Sequence, residues 1–172
     1  PETVLTRPDS IERFRREGKV LHELNHPNIV KVFDTIEQDG NHYLIQEYLS
    51  GGDLKNRILE GQLSIKEVLN IALDLADALT RAHRMNIIHR DLKPANVLLD
   101  DSGKPHLSDF GIALIGDMER VTEKGSAIGT ADYMSPEMVR AEEVDARTDV
   151  WSFGVMLYEM LTGQRPFKGK SL

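Results

Sequence analysis

The sequence contains no cysteine, which excludes disulfide bonds and thiolate metal sites and fits a reducing compartment. It has no basic excess either, since 28 acidic residues outnumber 21 Lys and Arg residues and give a net charge of −7. That balance favours a soluble protein and argues against a nucleic-acid-binding surface. No apolar run approaches the ~20 residues that span a bilayer, and Pro1-Glu2-Thr3 does not begin a signal peptide. We therefore predict a cytoplasmic location, with which a membrane anchor elsewhere in a longer protein is compatible.

Apolar residues are plentiful, because 40% of the chain is hydrophobic, enough for one core. The opening part predicts a helix that Pro27 ends, since proline cannot continue a helix. Two strands follow, at 29–36 and 42–48, joined by a turn at Asp39-Gly40. The sequence Ser50-Gly51-Gly52-Asp53 predicts a flexible joint after them.

The remainder of the chain predicts mainly helices. Ser64 and Glu67 form a capping box, and the helix that they open carries apolar residues at helical spacing. These residues are Ile65, Val68, Leu69, Ala72, Leu75, Ala76, Leu79 and Ala82. A second helix, 149–162, is apolar on most sides and is predicted to be buried. Between the two helices, residues 100–103 predict the turn of a hairpin whose strands lie at 97–99 and 106–107.

One short stretch of the chain carries groups suited to phosphoryl transfer. Residues 89–96 read His-Arg-Asp-Leu-Lys-Pro-Ala-Asn, and Asp-Phe-Gly begins at Asp109. Asp91 can accept a proton from an attacking hydroxyl, and Lys93 can neutralise a migrating phosphate. Asn96 and Asp109 can offer oxygen ligands to magnesium. The 18 positions from Asp91 to Asp109 leave room for a hairpin that folds the second acid back beside the first.

This series of motifs resembles the catalytic core of eukaryotic-type serine/threonine protein kinases, and the sequence around 87–110 resembles the bacterial members. The resemblance covers essentially the whole chain. It implies an α+β, bilobal kinase fold in truncated form, from the helix called αC in kinases to the helix called αF. Residues 1–49 would form a partial N-lobe and hinge. Residues 50–172 would form a partial C-lobe, with the catalytic loop at 89–96 and the activation segment at 109–137.

The resemblance also implies ATP and Mg²⁺ as cofactors and gives several residues roles in binding the nucleotide. Glu17 would pair with a phosphate-binding lysine, and Lys93 would contact the transferred phosphate. Glu47 and Leu49 match the hinge that reads adenine, next to Gln46 at the gatekeeper position. Two further matches are Asp53, which would hydrogen-bond ribose, and Leu98, which would lie beneath the base.

Further matches imply the substrate and its regulation. Lys93 is typical of the serine/threonine branch, and residues 129–137 resemble its substrate-facing loop, so the implied partner is a protein bearing Ser or Thr. Thr130 would brace Asp91 and Lys93. Arg90 would pair with a phosphate on the activation segment, carried by Ser126 or, as the second choice, Thr122.

Two positions are given supporting roles by the resemblance. Asp149 would hold the backbone of the catalytic loop, and His89 would support that loop by packing and hydrogen bonding.

Some kinase features are missing from the sequence, and two other functions stay open. The chain has no glycine-rich phosphate loop, and no lysine precedes Glu17 at the expected place, so we expect these residues alone to bind ATP poorly. A non-catalytic pseudokinase scaffold is one alternative, although Asp91, Lys93, Asn96 and Asp109 are all intact. A small-molecule phosphotransferase is the other, and the substrate-facing loop argues against it.

Overall fold

The computed structural model describes residues 21–39, 41–110 and 131–167, apart from the side chain of His42. The strands are β1 (Val32–Gln38), β2 (Asn41–Gln46), β3 (Val97–Leu99) and β4 (Pro105–Leu107). The helices that lie wholly within these ranges are α1 (Leu54–Leu59), α2 (Ile65–Arg84), α3 (Pro136–Val139) and α4 (Ala146–Thr162), with 3₁₀ turns at Pro94–Asn96 and Ala131–Tyr133. Residues 21–23 are also helical, and the rest of the predicted opening helix lies outside the described residues. The predicted α+β class is confirmed. None of the described helices combines the length and the apolar character needed to cross a membrane.

Strands β1 and β2 form the first antiparallel hairpin, close to its predicted place. Their register pairs Val32 with Gln46 and Gln38 with Asn41. The first strand begins three residues later than predicted, because Ile29 and Val30 pair with Leu107 of β4 instead. The residues just before β1 therefore pair with β4, which belongs to the second sheet, formed by β3 and β4.

Strands β3 and β4 form the second hairpin, and the predicted turn between them is confirmed. The carboxylate of Asp100 accepts hydrogen bonds from the backbone N–H groups of Ser102 and Lys104, at 2.8 and 2.9 Å. Bonds from Ser102 and the Lys104 N–H lower the pKa of Asp100 to about 2. Gly103 adopts a left-handed conformation with φ of 81°, which glycine tolerates without steric cost.

The prediction of a flexible joint at residues 50–53 was wrong. The N–H of Gly51 donates to Leu99 at 2.9 Å, and the N–H of Leu99 donates to Gly52 at 2.9 Å. A Cβ atom on Gly51 would lie 2.1 Å from the carbonyl oxygen of Asp100. Glycine is thus needed here for a close backbone approach rather than for mobility.

Helix α2 begins with the predicted capping box. Ser64 accepts from the N–H of Glu67, and the Glu67 carboxylate accepts from the N–H of Ser64. The buried stripe differs from the predicted one, because Ile65 and Leu69 are exposed. Of the predicted residues the core takes Val68, Leu75, Leu79 and Ala82, and it adds Ile71 and Ala78.

Helix α4 begins at Ala146, three residues before the predicted start, because the side chain of Asp145 caps its N-terminus. The prediction that this helix is buried was wrong for much of its surface. Val150 is 62% exposed, and Trp151 lies beside Phe167 with ring centroids 5.6 Å apart. The buried residues of the helix are instead half polar: Thr148, Asp149, Ser152, Val155, Met156 and Met160.

A single cluster of buried apolar residues joins both predicted lobes. Leu21, Leu24 and Ile29 belong to it from the first part of the chain, and Leu75 and Met156 belong to it from the helical part. Burying one such side chain contributes about 1.5–3 kcal/mol. The boundary at residue 50 remains a prediction.

Candidate active site

The site is built on a carboxylate at the start of α4. Asp149 is 0% exposed. Its Oδ2 and Oδ1 atoms accept from the backbone N–H groups of His89 and Arg90, at 2.8 and 2.9 Å. The Nε2 atom of His83, near the end of α2, lies 2.7 Å from Oδ2. The predicted role of Asp149 in holding the backbone at 89–96 is therefore confirmed.

His89 is fully buried below this loop and has the supporting role that was predicted. Its Nδ1 accepts the N–H of Asp91 at 3.3 Å, so the ring proton is on Nε2, which donates to the carbonyl of Ser108 at 2.9 Å. Burial lowers the pKa of the imidazole, which keeps this neutral form. The ring lies 4.6 Å from that of Phe110, measured between centroids.

Asp91 lies above the buried residues Asp149 and His89, and its carboxylate accepts hydrogen bonds from two side chains. Its Oδ2 accepts from Lys93 Nζ at 2.7 Å and from Asn96 Nδ2 at 2.9 Å. Asn96 Nδ2 also donates to the carbonyl of Asp91 at 2.8 Å. The 3₁₀ turn Pro94–Asn96 makes this possible, because it turns Asn96 back towards Asp91. The carboxylate is thereby oriented while it remains partly accessible to solvent.

Asp109 is connected to the catalytic loop through Ser108. The N–H and hydroxyl of Ser108 donate to the backbone carbonyl of Asn96 at 2.9 and 3.1 Å. The hydroxyl also lies 3.3 Å from Asp109 Oδ2. Asp109 is exposed and adopts a left-handed conformation with φ of 54°, which is strained for a residue other than glycine. The β3–β4 hairpin thus brings Ser108, the residue before the second acid, against the backbone of Asn96. That the carboxylates of Asp91 and Asp109 meet in one site stays a prediction.

Asn96 and Asp109 carry oxygen groups of the chemical kind that binds magnesium. Within the part of the chain that the structure describes, both hydrogen bonds of the Asn96 side chain use its Nδ2, so its amide oxygen has no partner among those residues. The Asp109 carboxylate is the second hard oxygen donor, of the kind that Mg²⁺ takes. Within the described ranges, no group of three or more histidine, aspartate or glutamate side chains could hold a metal ion.

Two of the predicted nucleotide-binding residues lie next to each other. Asp53 and Leu98 form an isolated β-bridge, since residues 51–53 run along β3. Asp53 also caps α1 by accepting from the N–H of Asn56 at 2.8 Å. Its carboxylate therefore already has a structural role.

The predicted hinge residues follow β2. Glu47 is bound to Lys31, with its N–H donating to the Lys31 carbonyl at 2.9 Å and its carboxylate accepting the Lys31 N–H at 2.7 Å. Leu49 is half-buried. Gln46, at the gatekeeper position, lines a small and largely apolar cavity together with Asp109 and Phe110.

Of the five remaining predicted site residues, Arg90 lies within the described part of the chain and four others do not. The Nε atom of Arg90 is buried and has no hydrogen-bond partner among the described residues. The backbone of Arg90 has a positive φ of 66°. Glu17, Thr122, Ser126 and Thr130 lie outside the described residues.

Several residues that support the site were not predicted from the sequence. They are His83 and Ser108, described above, and the pair formed by the hydroxyl of Tyr133 and the carboxylate of Glu159. Burial, followed by the bond to Glu159, raises the pKa of Tyr133. Each of these contacts joins residues far apart in sequence or adjacent to a motif. A local sequence pattern gives no signal for them.

The geometry agrees with the comparison to known proteins. The family model for the protein kinase domain matches residues 3–172, and this chain belongs to that family. It is 41% identical over 162 residues to the serine/threonine-protein kinase PrkC of Bacillus subtilis, covering 94% of this chain and 25% of PrkC. It is 42% identical over 170 residues to PknB of Mycobacterium leprae and 43% identical over 171 residues to PknB of Mycobacterium tuberculosis, covering 95% of this chain and 27% of each relative.

The chain thus spans about a quarter of the length of these relatives. The resemblance inferred from the motifs is confirmed, and the relatives named here are bacterial, as the sequence around 87–110 suggested.

Proposed function

We propose that this chain is part of the catalytic domain of a serine/threonine protein kinase, which transfers the γ-phosphoryl group of ATP to protein hydroxyls. The single observation that carries this proposal is the orientation of Asp91 by Lys93 and Asn96. The carboxylate is accessible, and a cation lies 2.7 Å away. The names of the bacterial relatives, which are serine/threonine-protein kinases, support the choice of acceptor.

In the proposed reaction, Asp91 orients the acceptor hydroxyl and takes its proton as the phosphoryl group is transferred. Lys93 provides positive charge where negative charge develops on the phosphate oxygens. The buried support under the loop, formed by Asp149 and His89, fixes these groups before substrate binds, which lowers the cost of positioning them.

Magnesium and ATP would be held by residues on either side of Asp91. Asn96 and Asp109 would bind the metal ions, and the ions would neutralise charge on the ATP phosphates. Asp53, Leu98 and the backbone of Glu47 and Leu49 would hold the nucleoside, in a chain arranged as an N-lobe (1–49) and a C-lobe (50–172). Glu17 and Thr130 would complete the site from segments outside the described residues.

Arg90 supports a proposal for regulation. A buried guanidinium nitrogen without a partner is costly, and a phosphate would satisfy it with charge-assisted bonds. We assign this phosphate to Ser126, with Thr122 as second choice. Mass spectrometry of the active whole protein should find one of these hydroxyls phosphorylated, and finding both unmodified would remove the proposal.

The test of the main proposal is phosphoryl transfer from labelled ATP to protein and small-molecule acceptors, using the whole protein that contains this chain. Asp91→Asn should lower kcat by a factor of about 10²–10⁴, with little change in the KM for ATP. Asp101→Asn, which changes an exposed acid in the β3–β4 turn, is the matched control and should retain activity. Transfer to a small molecule but not to protein, or full activity of the Asp91 variant, would contradict the proposal.

A further inference from the structure

Residues 131–137, here called the anchored segment, are tied to α4 along most of their length. The hydroxyl groups of Ser135 and Thr148 lie 3.2 Å apart, and the hydroxyl of Ser152 donates to the carbonyl of Tyr133 at 2.7 Å. Two turns further along the helix, Glu159 accepts the hydroxyl of Tyr133. Three successive levels of one helix therefore fix the position of this segment.

The same helix also fixes the candidate catalytic loop. Asp149 holds the backbone N–H groups of His89 and Arg90, and its neighbour Thr148 contacts Ser135. The anchored segment and the loop that carries Asp91 thus share one rigid support. A change that moves the segment along α4 changes its position relative to Asp91.

A further contact reaches the anchored segment from beyond the end of α4. Gly163 ends the helix in a left-handed conformation with φ of 69°, which is common at helix C-termini. Arg165 then forms an ion pair with Asp132 across 33 positions of sequence. The side chains are 42% and 22% exposed. Each contact of the segment with α4 uses a hydroxyl group, including that of Thr148, which donates to Glu137 at 2.7 Å, so the contact with Arg165 differs in carrying opposite full charges.

We propose that Arg165 is a positioning and specificity residue for the acceptor protein, through its ion pair with Asp132. The inference rests on the proposed kinase function, in which the anchored segment faces the acceptor. Arg165 has two effects there: it holds the first part of the segment in place, and it neutralises the Asp132 carboxylate. Without Arg165 the segment presents an uncompensated negative charge, which attracts basic acceptors and repels acidic ones.

The test compares two acceptor peptides that share one phosphorylatable threonine and differ only in carrying lysines or glutamates around it. In the whole protein, Arg165→Gln should raise the KM for the acidic peptide and increase the basic-to-acidic ratio of kcat/KM by about two- to fivefold, the size expected for one partly exposed charge pair. The KM for ATP should stay unchanged. Arg165→Lys should keep the wild-type ratio, and Asp132→Asn combined with Arg165→Gln should restore it.

Arg147→Gln is the matched control, because it removes an arginine on α4 whose ion pair with Asp145 is local and whose side chain is 88% exposed. An active Arg165→Gln protein with the wild-type peptide ratio would overturn the inference. Should the wild-type protein phosphorylate neither peptide, the proposed function fails, and hydrogen exchange then decides the positional part separately. The backbone amides of residues 131–135 should exchange faster in Arg165→Gln than in Arg165→Lys. Equal exchange rates in the two variants would overturn the positioning role of Arg165.

Discussion

Helices α2 and α4 are similar in length but stabilise the molecule in different ways. Helix α2 buries an apolar stripe that includes Val68, Leu75 and Leu79. Helix α4 buries polar groups in its first turns, including Thr148 and Asp149, and these groups bind the loop at 89–96 and the segment at 131–137. Helix α2 stabilises the fold in proportion to the apolar area that it buries. Helix α4 also fixes the positions of the loop at 89–96 and the segment at 131–137 by hydrogen bonds. Mutations in either helix should therefore lower stability, but only those at the polar positions of α4 should also displace the site.

The largest expected effect is at the polar helix. Asp149→Ala removes the acceptor of two backbone N–H groups and the partner of His83, in a place without water access, and should lower the free energy of unfolding by about 3–5 kcal/mol. Urea denaturation measures it. Asp145→Asn is the control, since asparagine caps a helix as well as aspartate does. A loss below about 1 kcal/mol for Asp149→Ala would show that α4 does not depend on this carboxylate.

The apolar helix should give a comparable or slightly smaller loss. Leu75→Ala empties a fully buried position and should lower the free energy of unfolding by about 2–5 kcal/mol. Leu73→Ala, on the same helix but 69% exposed, should change it by less than about 0.5 kcal/mol. Equal effects of the two substitutions in urea denaturation would show that the assigned buried face of α2 is wrong.

Two glycine-to-alanine substitutions should change the free energy of unfolding in opposite directions. Gly51→Ala would place Cβ against the Asp100 carbonyl and should lower the free energy of unfolding by about 1–3 kcal/mol. Gly154→Ala, within α4 and with no atom of the described residues within 4 Å of the added Cβ, should raise it by about 0.5–1 kcal/mol. Thermal unfolding of both variants gives the signs, and a neutral Gly51→Ala would contradict the close approach of the two backbones.

The smallest effect is the pH dependence of the α2 cap. Hydrogen bonds from Ser64, and then from Arg57, lower the pKa of Glu67 from 4.5 to about 2. A carboxylate whose pKa is lowered by folding stabilises the folded state at pH values above the pKa that it has in the unfolded chain. This contribution is lost as the pH falls from about 4.5 to about 2. The melting-temperature difference between wild type and Glu67→Gln should narrow across that range. A difference independent of pH would show that the cap does not titrate.

The sequence predicted the features that depend on neighbouring residues. The Ser64–Glu67 capping box and the turn at 100–103 are set by short-range hydrogen bonds, and the motif around Asp91 indicated the protein kinase family. The buried face of α2 was only partly predicted, because both Leu69 and Leu75 fit helical spacing. Tertiary packing decides which of them is buried.

Contacts across long stretches of sequence were not predicted. The pair of Arg165 with Asp132 depends on how the chain leaves α4, and the need for glycine at position 51 depends on the distance to β3. The polar burial on α4 was also missed as a general property, although the role of Asp149 was inferred from family resemblance. Composition alone makes α4 look like an ordinary apolar helix.

The neutral imidazole of His89 gives this site a built-in spectroscopic probe. Its proton on Nε2 is shielded from solvent and directed at the Ser108 carbonyl, so it should exchange slowly enough to give a downfield proton resonance. Because Asp91 and Ser108 bind opposite sides of one ring, that resonance should report any movement between the loop at 89–96 and the strand that leads to Asp109. A ¹⁵N-labelled sample would then follow the alignment of the site directly as nucleotide is added.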